Sequence, residues 1–456
     1  MRQLIPLSLL GLALACSSDP DKDATTVDSG VPNEDGGVDP GGPVFELSEV
    51  VEGLNSEALV GDFAVLRVKA DGTPALAYGY YAVGDVEAHI HYAEKTAGGW
   101  DIDDVIEVGI NGRRGANVSP PIGTLEGIGF DFVGGVPHIS YFGGDFDNPQ
   151  ATSPGPNISD LMLSTKNGNN WTERTLVNVS SDVNYDCTGG GITDPYCQVG
   201  FDVGTNSALA ARPGGGFGVA YRDIHIGFAD QDFESADCEY YGEGGGPGPG
   251  MIDAVRSGGV HTSLVFNAQG NPVASYLIPT PRGTDDRRIG IWVGYWDGTE
   301  FKQVQVAPGT QTASRTSLAL APDGTLYLAY LNRDTADLEV ATSSDDGATW
   351  TTTDVDESGK TGLHPAMAVD GQGRPVVAYT YCGVTSDRDC PGSLGSKSEV
   401  RLARLEGGTW KKYRIDNGQG FGGVGLFVQL RVGPDGKLHV AFQDPTNNDL
   451  VYVKEQ

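Results

Sequence analysis

Basic residues are few in this chain beside its acidic ones. Thirty lysines and arginines stand against 61 aspartates and glutamates, giving a formal charge of −31 spread along 456 residues. Phosphate recognition needs a basic stripe, so nucleic acid is not an expected partner. Long hydrophobic runs are missing too. After the first sixteen residues no apolar stretch approaches the ~20 residues of a membrane-spanning helix. Cysteine and histidine are scarce, six and seven respectively, and the cysteine spacings match no zinc pattern. His89 and His91 lie two apart on one strand and share a face, but no third ligand is evident in the sequence. Neither a metal nor a cofactor is expected.

What is present begins at the N-terminus. Arg2 is followed by Leu4 to Ala15, apolar except for Pro6 and Ser8, which is long enough for a signal-peptide core and too short to span a bilayer. The run ends in Leu12-Ala13-Leu14-Ala15-Cys16, which resembles the lipobox of bacterial lipoproteins, with Ala13 where an aliphatic residue is usual. That resemblance implies a signal peptide over 1–15 and a lipid on Cys16. With Ser17 rather than aspartate next, it also implies an outer-membrane or cell-surface address, the lipid being the membrane contact. An ordinary signal peptide cleaved after Ala15, giving a secreted or periplasmic protein, is the competing reading. Residues 16–43 are rich in Asp, Gly, Pro and Ser. They have too few apolar side chains to offset backbone entropy and read as a solvated acidic linker. An exported compartment favours disulfides, and the close pairs Cys187/Cys197 and Cys382/Cys390 are expected to bond, with Cys238 left over.

Residues 44–456 are governed by one repeated phrase, a strand, a Gly-bearing turn, then a strand ending in a small residue and an aromatic. Its seven copies end at Tyr78, Tyr141, Tyr221, Tyr276, Tyr330, Tyr379 and Phe442. Asp-Gly and Gly-Gly steps between such strands are hairpin signals, because glycine takes the positive φ of tight turns. Two further strands follow in each unit, and four antiparallel strands repeated at this spacing predict an all-β, seven-bladed β-propeller of four-stranded antiparallel blades. After Phe442 only one more strand follows, Asp449 to Val453, so Phe45 to Val51 is expected to supply the missing outer strand and close the ring. A monomer is expected.

The octapeptide Ser343-Ser344-Asp345-Asp346-Gly347-Ala348-Thr349-Trp350 matches the Asp box of sialidase-like bacterial neuraminidase repeats, and Ser164 to Trp171 is a degenerate copy with Lys166 in place of the aspartate. The resemblance implies a propeller fold, and Asp boxes in such folds are structural. Sialidase activity does not carry over. Sialidases are six-bladed, use three arginines for the substrate carboxylate and carry an early F-R-I-P motif absent here, while the first blade offers only Arg67.

In a propeller of this order the long irregular connections, 109–125, 143–160, 177–205 and 382–398, gather on one face, the candidate binding face. Counting back fifteen residues from each strand-ending aromatic gives the channel-mouth positions Phe63, Glu126, Asn206, His261, Arg315, His364 and Phe427. A carboxylate, two imidazoles and a guanidinium converging there suit a polar ligand. Arg222 and Asp223 follow Tyr221 on the same face and read as a solvated ion pair. Two functions fit. One is a non-enzymatic surface protein binding polysaccharide, other glycans or an envelope protein through the loop-rich face, which the absence of a recognised catalytic constellation favours. The other is a polysaccharide-active enzyme, a lyase or glycosidase-like protein, with a His/Arg site at the mouth.

Overall fold

Each copy of the phrase folds as the inner half of a four-stranded antiparallel sheet. In the computed structural model the described residues are 38–39, 41–53, 58–82, 87–109, 127–143, 160–177, 202–226, 234–253, 259–279, 288–309, 315–382, 398–416 and 425–456. The residues expected to form the signal peptide and most of the linker, through residue 37, the middles of the four long connections, Glu126, and Cys16, Cys187, Cys197 and Cys390 lie outside them. The blades belong to one compact unit, 35–456.

The described residues form seven sheets, and the chain is a seven-bladed β-propeller. Strand β1 (Glu49–Glu52) precedes blade 1, β2–β5 (Leu59–Val68, Pro74–Tyr81, Glu87–Thr96, Gly99–Gly109). Blade 2 is β6–β9 (Gly129–Val133, Val136–Gly143, Asp160–Asn167, Asn170–Val177), and blade 3 is β10–β13 (Asp202–Ala211, Phe217–Ile226, Glu234–Glu243, Gly250–Asp253). Blade 4 is β14–β17 (Val260–Phe266, Pro272–Ile278, Gly290–Trp296, Phe301–Pro308), and blade 5 is β18–β21 (Ser317–Leu320, Leu326–Asn332, Asp337–Ser343, Thr351–Asp356). Blade 6 is β22–β25 (Thr361–Val369, Pro375–Tyr381, Glu399–Glu406, Thr409–Asp416), and blade 7 opens with β26–β28 (Leu426–Val432, Leu438–Asp444, Asp449–Lys454).

The ring closes through β1, as expected but over a shorter stretch. Glu49 pairs with Tyr452 and Val50 with Val451, while Phe45 makes only an isolated bridge to Glu455. Packing shows the same closure. Val60, Leu66 and Leu76 of blade 1 share one buried cluster with Ala441 and Leu450 of blade 7 and with Val51 of β1. Every other pair of adjacent blades has its own cluster of this kind.

The strand-ending aromatics explain the phrase. All seven are 0–2% exposed, and a buried phenol needs a partner for its hydroxyl. Tyr78 donates to Glu52 (2.6 Å), Tyr276 to Asp253 (2.5 Å) and Tyr379 to Asp356 (2.6 Å), each carboxylate standing on the outermost strand of the preceding blade. These three bonds fasten one blade to the next. The Ser343–Trp350 turn is closed by Gly347 N donating to Ser343 Oγ (3.0 Å) and Thr349 N to Asp345 Oδ1 (2.8 Å). Trp350 packs on the blade 4–blade 5 cluster. In the degenerate copy, Lys166 reaches Asp103 of blade 1 at 2.6 Å, so the substituted position became a link between blades.

Candidate functional site

The first strands of the blades surround a central cavity of about 400 Å³. Five of them, β2, β10, β14, β22 and β26, break register near their starts. Within each break sits one residue with left-handed backbone: Phe63 (φ 52°), Asn206 (53°), His261 (54°), His364 (47°) and Phe427 (49°). These are five of the positions obtained by counting back from the aromatics. A non-glycine residue there costs roughly 1–2 kcal/mol, and the same cost is met at five equivalent places around one opening. Such bulges redirect a side chain that regular alternation would turn into the sheet.

Blade 2 departs from the count. Its first hairpin closes on the two-residue turn Gly134-Gly135, with Val133 paired to Val136, whereas blade 1 carries a longer turn between Val68 and Pro74. Gly129 therefore faces Ser140 as Val65 faces Ala77, and the equivalent of Phe63 is Gly127 (φ 105°), not Glu126. A Cβ on Gly127 would lie 2.7 Å from the Cα of Asn206, so only glycine fits. Glu126 then holds in sequence the place of Asp62, one residue before the mouth position.

The mouth residues hold one another. Asn206 is spent as a brace, its Oδ1 accepting from the backbone N of His261 at 2.9 Å. Thr316 Oγ1 donates to the carbonyl of His261 at 3.0 Å. Arg315 of blade 5 crosses the opening to blade 1, where Nη1 donates to Ala64 O at 3.2 Å. Its guanidinium stands 5.4 Å from the ring of Phe63 and 5.2 Å from that of Phe427, within cation–π range. The two phenyl rings are 4.9 Å apart and the His364 ring is 5.0 Å from Phe427. Arg315, His364, Phe63 and Phe427 are thus one cluster, with His261 beside it.

Burial and charge tune these groups. Burial, then the positive charges of Arg315 and Arg222, bring His261 down from 6.5 to about 4. Burial, then Arg315 and His261, bring His364 to about 3, and its Nδ1 has no hydrogen-bond partner among the described residues. Both imidazoles are therefore neutral near pH 7. Burial lowers Arg315 to about 10 against the pull of Asp62, which leaves it protonated. Asp62, missed by sequence reasoning, is pushed up to about 6 by burial, partly offset by a hydrogen bond from Gln443 (3.0 Å) and the charge of Arg315. Its signal was its place beside a register-breaking residue. Arg222 adds its charge to the surroundings of His261, but Asp223 is fully buried. The expectation that Asp223 is solvated is therefore corrected, and as neighbours on one strand it and Arg222 face opposite sides.

Toward the other end of the channel stand Arg67, Arg431 and Asp131, also unforeseen. Arg67 Nε lies 3.2 Å from Asp131, and burial followed by the charge of Arg67 lowers Arg431 to about 9. Cys238 and Cys382 are both buried, and the expected partner of Cys382 lies outside the described residues. The reading of His89 and His91 as lacking a third ligand is corrected. Asp104 pairs with His91 across β4 and β5, so a His89–His91–Asp104 cluster stands on one face.

No family model matches the sequence, and no curated protein does. Solved structures do resemble the chain. An ulvan lyase of the PL25 polysaccharide lyases, bound to -[GlcA(1-4)Rha3S]-, is 13% identical with a TM-score of 0.50, covering 89% of this chain and 96% of its own. The polysaccharide lyase Uly1 is 11% identical with a TM-score of 0.45 over 86% and 89%. The Hadza microbial sialidase Hz136 is 12% identical with a TM-score of 0.45, and the match covers 88% of this chain but only 66% of the sialidase. At such identities the likeness is one of fold.

Proposed function

We propose that this propeller acts on an acidic polysaccharide at the channel mouth, as a lyase of uronic-acid polymers. The observation that carries the reading is the pair of neutral imidazoles, His261 and His364, both under the charge of the Arg315 guanidinium, at a shared opening. A lyase removes the proton α to a uronate carboxylate, and that step is eased when a cation neutralises the carboxylate and an unprotonated base stands beside it. Arg315 has the charge for the first role, and His261 or His364 the protonation state for the second. Asp62, titrating near 6, suits proton exchange with the leaving oxygen. The fold shared with an ulvan lyase bound to a GlcA-containing chain agrees with this choice of substrate class.

The test is incubation of the chain with a panel of uronate polysaccharides, reading the absorbance of new unsaturated ends. Activity lost in His261→Ala and His364→Ala supports the reading, and no activity on any uronate polymer refutes it. One observation favours a second reading, glycan or protein binding without chemistry. Arg315 is already held by Ala64 O and two phenyl rings, which leaves less of its guanidinium for a substrate. A glycan array retaining ligands for which no cleavage is found would favour binding alone. We further propose that Cys16 anchors the domain by lipid, that Cys187/Cys197 and Cys382/Cys390 are disulfides, and that the acidic 16–43 segment spaces the blades from the membrane. Mass spectrometry of the mature N-terminus tests the anchor.

A further inference from the structure

A second cluster with coordination chemistry lies away from the channel, where β1 of the closing strand meets the outer half of blade 1. His89 and His91 are two apart on β4 and share a face. A register shift between Ile90 and His91 brings Asp104 of β5 opposite His91, on that same face. One ligand atom from each of the three residues lies within 4.8 Å of the others. His89 Nδ1 is 3.2 Å from Asp104 Oδ2.

What lies behind His91 turns this proximity into a built site. Its Nδ1 is 2.8 Å from Glu52 Oε2, and the same carboxylate oxygen accepts from Tyr78 OH at 2.6 Å. The His91 ring is stacked on Tyr80, centroids 4.4 Å apart and planes 12° from parallel. An imidazole that gives one N–H to a fixed carboxylate has its other nitrogen aimed and made more basic, the usual arrangement behind a metal-binding histidine. A bare His89–Asp104 ion pair would need neither His91 nor the Glu52 carboxylate behind it. His91 is 8% exposed, whereas Asp104 is exposed, so an ion can enter from solvent while one ligand stays rigid.

We propose that His89, His91 and Asp104 bind one divalent transition-metal ion of the zinc class, with Glu52 as the carboxylate that orients His91. Two imidazoles and one carboxylate suit zinc, cobalt or nickel, whereas calcium and magnesium prefer all-oxygen sets. Three protein ligands leave a position open to water or to a donor group from a ligand. The site does not depend on the reading of the channel mouth.

The experiment uses the full chain stripped with chelator and titrated with Co²⁺, followed by its visible spectrum and then by displacement with Zn²⁺ in a calorimeter. One equivalent per chain is expected, with a spectrum typical of low coordination number. His89→Ala and His91→Ala should weaken binding by about 100-fold or more, and Glu52→Gln by about 10- to 100-fold. His261→Ala should leave it unchanged. His89 lies nearer solvent than His91, so if His91→Ala melts early, His89→Ala and Asp104→Asn carry the test. Absence of saturable binding overturns the proposal, as does a cobalt spectrum unaltered in His89→Ala.

Discussion

Acid should loosen this propeller through its channel mouth. His261 and His364 stand at about 4 and about 3 in the folded chain, against 6.5 for an unperturbed imidazole. Both are neutral in the fold, whereas the unfolded chain takes up their protons below 6.5, so falling pH favours unfolding. Stability present above pH 6.5 is lost as pH falls toward the folded values. At pH 5 the unfolded imidazoles are protonated and the folded ones are not. Each histidine then costs about 2 kcal/mol, at about 1.4 kcal/mol per pH unit, and the pair about 4 kcal/mol. Asp62 works in the other direction. Raised to about 6, it binds its proton first in the fold and returns about 1 kcal/mol over the same interval. The assay is urea unfolding at pH 7 and pH 5 of the natural chain and of a His261→Gln/His364→Gln double variant. Other acid-sensitive groups, such as His439 (lowered to about 4 by burial), stay in both proteins and cancel. The natural chain should lose about 4 kcal/mol more than the variant between the two pH values. Equal losses would refute the assignment of these imidazoles as half-buried and neutral.

The bulges make a sharper prediction about backbone: His261→Gly should be more stable than His261→Ala by about 1 kcal/mol in denaturant unfolding, because φ of 54° costs alanine and not glycine. The reverse order would show the left-handed conformation to be wrong. Gly127→Ala should cost about 3 kcal/mol or more, combining left-handed strain with a 2.7 Å approach to Asn206, and a change under about 1 kcal/mol would deny that contact. In blade 6, Arg401 is fully buried, with Nε 2.9 Å from Glu399 and Nη1 3.5 Å from Asp356. Arg401→Met removes one partner from each carboxylate, Glu399 keeping Arg414 and Asp356 keeping Lys412, and should cost about 1.5–3 kcal/mol of unfolding free energy, a near-neutral result contradicting the network. Val51→Ala, in the cluster that seals blade 7 to blade 1, should cost about 2 kcal/mol, and no cost would show that β1 does not close the ring.

The architecture was legible because it is written seven times. Each aromatic from Tyr78 to Phe442 marks the same buried strand end, and the unmatched strand after Phe442 announces its partner near Val51. The mouth was legible for the same reason, since a fixed count lands on Phe63, Asn206, His261, His364 and Phe427, five residues that prove to share one backbone conformation. The count slips in blade 2 because a two-residue turn shortens one hairpin, a change of length that leaves no mark in hydrophobic pattern. Asp104 was hidden because its contact with His91 depends on a bulge between β4 and β5. The brace role of Asn206 and the crossing of Arg315 to blade 1 depend on which way side chains turn at a left-handed residue, and periodicity does not contain that information.

The most direct test of the mouth as an acidic-glycan site is a calorimetric titration of a uronate oligosaccharide into the natural chain and into Arg315→Gln. Removing the Arg315 guanidinium, which reaches across the opening, should weaken binding by about tenfold or more, since a hydrogen bond to a charged group contributes about 1.5–3 kcal/mol. Equal affinity in the two proteins, with both fully folded, would contradict the account.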